Sequence, residues 1–140
     1  MRCVLDTNII VAAMRSPAGA SAALLTAARQ SALTMLCTVA LALEYEATCR
    51  LAEHRMAAGL SLEETEVFID AILAMVEPVE LHFLWRPQLR DPASEFVLET
   101  AINGRATAIV TFNRRDFGTV PARFGIEVLR PGEALRRTRI

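Results

Sequence analysis

Short apolar runs alternate with longer stretches of helical periodicity along this chain, and no other property limits its possible folds as much. The runs have the length of strands and are too short for buried helices. Strands that alternate with helices indicate a parallel sheet, because parallel neighbours are joined by crossover helices. We therefore predict an α/β fold with a central parallel sheet of four or five strands flanked by helices. The predicted strands are Arg2–Leu5, Leu33–Cys37, Val79–Leu84, Thr107–Val110 and Gly125–Leu129, the last at an edge.

Capping residues mark the starts of several predicted helices. Ser61 and Glu64 have the spacing of a capping box. Asp91 followed by Pro92 is a favoured pair for the N-cap and the first helical position. Three predicted helices cover residues 9–14, 20–29 and 133–137. Another runs from the cap Thr38 to about Ala58 and ends at Gly59. The last two begin at Ser61, where the helix is ended by Pro78, and at Asp91.

The composition suits one compact domain over residues 1–140, since 53% of the residues are hydrophobic and 22% are charged. No apolar run approaches the roughly 18 residues of a membrane span. A charged residue follows the N-terminus too soon for a secretory signal, so we expect a cytoplasmic protein. Cys3, Cys37 and Cys49 lack a paired spacing and are interpreted as buried thiols. His54 and His82 are isolated in the sequence, which argues against a zinc site.

Charge is distributed unevenly along the chain, although the formal net charge is only −1. Residues 1–85 contain 5 Arg and 10 acidic residues, whereas residues 86–140 contain 10 Arg and 6 acidic residues. Two interpretations stay open. The asymmetry is either a chance property of a solvated surface or a basic rim that holds phosphates.

Acidic residues lie near the predicted carboxyl ends of the strands. Asp6 follows the first strand directly, Glu44 lies in the helix after the second, and Asp91 and Asp116 follow the third and fourth. Ligand sites in open parallel sheets form outside these strand ends. Taken singly, each acid also fits a turn, a cap or a solvated helix position, and Glu95 also fits a first helical turn. Together they predict an oxygen-ligand site for Mg²⁺ or Mn²⁺.

Four segments resemble the sequence motifs of PIN domains. They are the D-T-N segment Val4–Ile10, the E-Y-E segment Leu43–Glu46, the R-D-P segment Arg90–Leu98 and the T-F-N-R-R-D-F segment that ends at Phe117. The resemblance covers nearly the whole chain with the motifs in the right order. It implies a three-layer PIN-like fold and metal-dependent ribonuclease activity. The chain resembles the branch of VapC toxins, which implies a homodimer, an RNA substrate and a cognate antitoxin protein.

The resemblance also implies roles for individual residues. The implied metal ligands are Asp6, Glu44, Asp91 and Glu95. The implied catalytic residues are Asp6, Glu44, Asp91 and Asp116. The residues implied to order the site or contact substrate are Asn8, Ser94, Thr111, Asn113, Arg114 and Arg115. The two arginines fit solvated loop positions equally well.

Two positions depart from the usual motifs, because Ser94 and Asn113 stand where many family members have Asp. The loss of a carboxylate at Ser94 keeps an alternative open, in which a catalytically weakened PIN-fold module binds RNA or a partner protein without cleavage. A second alternative, another phosphate-handling enzyme, is disfavoured because the chain lacks a glycine-rich phosphate loop.

Overall fold

A single parallel sheet organises the chain. The structure is a computed structural model that describes residues 1–82 and 89–138. In chain order, the strands in these residues are β1 (Arg2–Leu5), β2 (Thr34–Cys37), β3 (Glu77–Pro78), β4 (Ala108–Val110) and β5 (Glu127–Leu129). Their order across the sheet is β3-β2-β1-β4-β5, and each neighbouring pair is parallel. The carboxyl ends of all five strands therefore meet at one edge of the sheet.

Helices cover both faces of this sheet. Consecutive residues are buried in β1, β2 and β4, which requires apolar cover on both sides. The helices are α1 (Thr7–Arg15), α2 (Ala20–Arg29), α3 (Val39–Cys49), α4 (Ala52–Ala58), α5 (Leu62–Met75), α6 (Pro92–Asn103), α7 (Val120–Arg123) and α8 (Pro131–Thr138). A short 3₁₀ turn covers Arg114–Asp116. The predicted α/β fold with a flanked parallel sheet is confirmed.

The third strand differs from the predicted Val79–Leu84. β3 comprises Glu77–Pro78, and the Val79 amide continues its pairing by donating to the Cys37 carbonyl at 2.9 Å. Residues 83 and 84 of the prediction lie outside the described residues. The prediction that Pro78 ends the preceding helix was also wrong, because α5 already ends at Met75. Proline is tolerated here because β3 lies at the edge of the sheet formed by the described residues, so no strand among them pairs with its outer side and needs the missing N–H.

The opposite edge of the sheet is β5, as predicted, but this strand begins two residues later than expected. Gly125 has a φ of +71°, a left-handed conformation that does not continue into a strand. The strands β2 and β4 each begin one residue later than predicted.

The prediction of one helix from Thr38 to about Ala58 was wrong in its middle. Thr38 does cap α3, since its hydroxyl accepts from the Leu41 amide at 3.3 Å. The helix ends at Cys49, and Leu51 has an extended conformation with φ −59° and ψ 132° before α4 begins. Neither Arg50 nor Leu51 is a helix breaker by type. The break therefore arises from tertiary packing, which places α4 against α1.

The local signals for helices α5, α6 and α2 were correct. Both reciprocal bonds of the capping box are present, with Ser61 and Glu64 each accepting from the other's amide. Asp91 caps α6 and Pro92 occupies its first turn. The helix α2 has the predicted bounds, Ala20–Arg29.

The three cysteines are buried free thiols, as predicted. Burial raises the pKa of Cys3 and Cys37 to about 12 and that of Cys49 to about 11. The thiolate is the reactive form, so these thiols are chemically inert at neutral pH.

Within residues 1–82 and 89–138, no single helix is both long and apolar enough to cross a membrane. The helices α1 and α2 satisfy the length and composition criterion only as a pair, which is bent by 102°.

Candidate active site

Asp6 joins the central strand β1 to helix α1 without an intervening loop. Its amide donates to the Val110 carbonyl at 2.9 Å, and its side chain caps α1. One carboxylate oxygen accepts from the Thr7 amide at 2.8 Å, and the other accepts from the Thr111 hydroxyl at 2.7 Å. The side chain is thus fixed at the carboxyl edge of the sheet by two hydrogen bonds, and the residue is only 7% exposed.

The environment of Asp6 disfavours a negative charge on its carboxyl group. Burial raises the pKa of the Asp6 carboxyl above its usual value, and the negative charges of Asp116 and Asp91 raise it further. The hydrogen bonds from Thr111 and Thr7 act in the opposite direction by stabilising the carboxylate. Three acids from separate segments therefore influence one another at this edge of the sheet.

Glu44 approaches the site from helix α3. It is half-buried, and the Thr48 hydroxyl lies 3.5 Å from its carboxylate. The next residue, Tyr45, is buried and donates its hydroxyl hydrogen to the Leu5 carbonyl. Glu46 points elsewhere and pairs with Arg50 at 3.2 Å. Of the two glutamates in the E-Y-E motif, the first lines the same cleft as Asp6.

Asp91 and Ser94 form the start of helix α6 beside the site. The Asp91 carboxylate accepts from the Ala93 amide at 3.3 Å and from the Ser94 hydroxyl at 3.2 Å. Ser94 is 2% exposed, so its side chain is packed in place. The hydroxyl stands beside Asp91 at the position where the family motif usually has a carboxylate.

The loop after β4 supplies the remaining side chains. The Thr111 hydroxyl, which donates to Asp6, accepts from the Asn113 amide at 3.0 Å. The Asp116 amide donates to the Asn113 carbonyl at 3.1 Å, within the 3₁₀ turn. The turn thus brings Asp116 back toward Asp6.

These segments surround a cleft of about 300 Å³ at the carboxyl edge of the sheet. Its lining contains four acids, a histidine and several neutral polar side chains. The lining residues are Asp6, Thr7, Asn8, Val11, Glu44, Thr48, His54, Asp91, Ser94, Asn113 and Asp116. Four acids predicted from distant parts of the sequence therefore share one cleft.

Four predicted site residues do not line this acidic cleft. Thr111 is fully buried and contacts the site through its hydrogen bond to Asp6. The Glu95 carboxylate is buried and accepts from the Leu89 amide. Arg114 forms an ion pair with Glu133. Arg115 lines a neighbouring pocket of about 400 Å³, and its other lining residues include Arg90, Asp91 and Asp116.

His54 is a cleft residue that the sequence analysis did not identify. Its isolated position in the sequence argues against a zinc site and indicates no other role. The break between α3 and α4 brings it to the cleft, and no sequence signal marks that break. Thr7 and Thr48 also line the cleft, and Thr7 could have been identified from its place in the D-T-N motif.

The donor atoms of the cleft suit a hard divalent cation. Asn8 Oδ1 and Thr7 Oγ1 are buried without a hydrogen-bond partner among the described residues, which is costly for polar atoms. With the carboxylates they form an all-oxygen set of the kind that Mg²⁺ and Mn²⁺ prefer. As placed, no group of three or more His, Cys, Asp or Glu side chains in the described ranges could hold a metal ion.

A parallel sheet with an acidic cleft at its carboxyl edge is the arrangement that the sequence motifs of PIN domains predicted for this chain. The sequence model of the PIN domain matches residues 2–115, and the chain belongs to this family.

Comparison with solved structures identifies a similar chain in the crystal structure of VapBC2 from Rickettsia felis bound to a DNA fragment from their promoter. The TM-score is 0.64 and the sequence identity is 16%, over 93% of this chain and 98% of that chain. This similarity shows a shared fold. A comparison with curated proteins found no match.

Proposed function

We propose that this protein is a metal-dependent endoribonuclease and the toxin of a toxin–antitoxin module. The observation that carries the proposal is the convergence of Asp6, Glu44, Asp91 and Asp116 on one cleft of a PIN-family chain. The acids come from four segments, so their meeting is a property of the fold. Hydrolysis of a phosphodiester needs stabilisation of negative charge, which carboxylates supply only through a cation.

The residues that would hold Mg²⁺ or Mn²⁺ are Asp6, Glu44 and Asp91, and Asp116 lines the same cleft. Because no three acids among the described residues are placed to share an ion, the side chains would have to move closer together on binding. Asn8 adds a neutral oxygen from the buried side of the cleft. When bound, the cation supplies Lewis-acid stabilisation of charge on the phosphate. Glu95, a predicted ligand, is the least favoured of the acids because its carboxylate faces the Leu89 amide.

The protein side chains position the reacting groups. Thr111 holds one oxygen of Asp6 and orders Asn113, which lines the cleft. Arg90 and Arg115 line the adjoining pocket, which shares Asp91 with the cleft. An RNA strand that places its scissile phosphate in the cleft would place a flanking phosphate beside these two guanidinium groups. Arg114 is less favoured for binding a phosphate because it forms an ion pair with Glu133.

The proposed partners are a single-stranded RNA substrate, a cognate antitoxin and a second copy of the chain, all in the cytoplasm. The motif resemblance to VapC toxins supports this set. The shared fold with a chain of a VapBC2 complex is consistent with it.

RNA cleavage in the presence of Mn²⁺ tests the proposal. We expect the wild-type protein to cut single-stranded RNA, EDTA to stop the reaction, and Asp6→Asn to abolish it. Asp70→Asn is the matched control, because Asp70 is exposed on α5 and does not line the cleft. Cleavage that persists in EDTA or in Asp6→Asn would contradict the mechanism.

A second candidate function is a PIN-fold module that binds RNA or a partner without cutting. The hydroxyl of Ser94 in place of a carboxylate is the observation that favours it. Calorimetric titration with Mn²⁺ separates the two candidates. Binding that Asp6→Asn removes supports the nuclease, and no binding at millimolar Mn²⁺ supports the module.

A further inference from the structure

The acidic cleft has a wall that the proposed catalytic acids do not occupy. Helix α4, which begins after the extended residue Leu51, contributes to this wall. His54 lies on α4, lines the cleft, and has a side chain that is 17% exposed. It is the one basic side chain among the described residues that line the cleft, which otherwise contains four acids.

Arg15, at the end of helix α1, determines how His54 presents its ring. The Arg15 Nη1 atom lies 3.3 Å from His54 Nδ1. A guanidinium group has only donors, so Nδ1 must be the acceptor. A neutral imidazole that accepts through Nδ1 carries its proton on Nε2. The Arg15 contact therefore makes Nε2 a hydrogen-bond donor.

The Nε2–H group is available to a ligand. Its nearest acidic neighbour is Glu53 Oε1, 3.5 Å away on the same helix. That distance is long for a hydrogen bond, and the Glu53 side chain is 78% exposed. A contact of this kind at the surface contributes little energy, so a ligand oxygen can replace it.

We infer that Arg15 and His54 form a substrate-positioning pair, in which the Nε2–H of His54 donates to a phosphate oxygen of the RNA backbone. The inference rests on the proposed function, because it assumes that RNA occupies the cleft. A polyanion entering a cleft lined by four acids needs donors on the remaining wall. His54 supplies such a donor, and Arg15 acts through it by fixing the tautomer.

Steady-state cleavage kinetics with Mn²⁺ and single-stranded RNA test the pair. His54→Phe removes the donor but keeps a ring, and KM should rise about tenfold, as expected for a lost hydrogen bond to a charged group. The kcat should stay unchanged, because positioning that acts equally on ground and transition states affects KM alone. His54→Gln keeps an N–H donor and should recover most of the loss. His82→Phe, the same substitution at a position outside the cleft, should behave as wild type.

A double-variant comparison tests whether Arg15 acts through His54. Arg15→Met keeps an unbranched side chain without donors, and adding it to His54→Phe should cause no further rise in KM. Fully additive effects would overturn the pair. Equal KM values for His54→Phe and His82→Phe would also overturn it, while leaving the proposed ribonuclease activity standing.

RNA binding separates failure of this inference from failure of the proposed function. We would measure fluorescence anisotropy of a labelled single-stranded RNA with Asp6→Asn protein, with and without His54→Phe or His82→Phe. A dissociation constant about tenfold higher with His54→Phe alone supports the inference even if the wild type cuts no RNA. Equal affinities, or no RNA binding by any variant, overturn it.

Discussion

Restoring a carboxylate at position 94 tests how the departure at Ser94 affects the cleft. The Ser94 hydroxyl lies 3.2 Å from an Asp91 carboxylate oxygen and donates to it. In Ser94→Asp this attraction becomes a repulsion between two carboxylates. The metal-free protein should therefore lose stability, and the protein should gain affinity for Mn²⁺.

The separation of the two side chains sets the magnitude. At the observed 3.2 Å, two unit charges repel by about 1.3 kcal/mol in a water-like dielectric and by about 5 kcal/mol at an effective dielectric of about 20. Asp91 is exposed, so solvent screening favours the lower end, about 1–2 kcal/mol. For a domain of this size that corresponds to a fall in Tm of about 3–8 °C.

Thermal unfolding with and without Mn²⁺ measures both effects. Ser94→Asn is the control, because its amide has nearly the same size as the carboxylate but no charge. Saturating Mn²⁺ should stabilise Ser94→Asp more than wild type, by about 1.4 kcal/mol for each tenfold gain in affinity. Equal Tm values for the Asp and Asn variants without metal, or equal stabilisation of Ser94→Asp and wild type by Mn²⁺, would refute the reasoning.

Three further predictions concern the framework of the site. Because burial raises the pKa of Asp6, its contribution to stability is present in acid and is lost as pH rises through that pKa. Asp6→Asn should therefore have a higher free energy of unfolding than wild type at neutral pH. Urea denaturation should show that this difference shrinks toward acidic pH, and a difference that stays constant with pH would contradict the reasoning. Tyr45→Phe removes a buried hydrogen bond to the end of β1 and should lower the free energy of unfolding by about 1–2 kcal/mol in the same assay; an unchanged value would show that the bond adds nothing. A Cβ at Gly104 would lie 2.9 Å from a backbone carbonyl oxygen, whereas one at Gly132 would meet nothing closer than 3.7 Å. Gly104→Ala should therefore lose about 1–3 kcal/mol while Gly132→Ala is nearly neutral in thermal unfolding, and equal losses would be inconsistent with the packing.

Short-range signals predicted much of this molecule from its sequence. The Ser61 capping box and the Asp91 cap were correct because each depends on atoms a few residues apart. The position of Asp6 was equally predictable, since a polar residue after a buried central strand must lie at the carboxyl edge of a parallel sheet. The convergence of Glu44 with it followed from motif order and topology.

Features that depend on packing between distant segments were not predictable. The break at Leu51 has no proline or glycine to announce it, so a continuous helix was the better local prediction. With that helix continuous, nothing placed His54 near the acids. Glu95 shows the same limit, because the resemblance implied it as a metal ligand, yet its carboxylate accepts from the Leu89 amide.

The hydrogen bond between Tyr45 and Leu5 joins the two residues adjacent to the principal acids. Leu5 precedes Asp6, and Tyr45 follows Glu44, so this bond sets the spacing between the two backbones that carry those carboxylates. Helix α3 cannot slide along or away from β1 without breaking it. An engineer who wishes to widen the cleft for a larger ion should therefore begin at Tyr45, because changing this residue releases the spacing while leaving both charges in place.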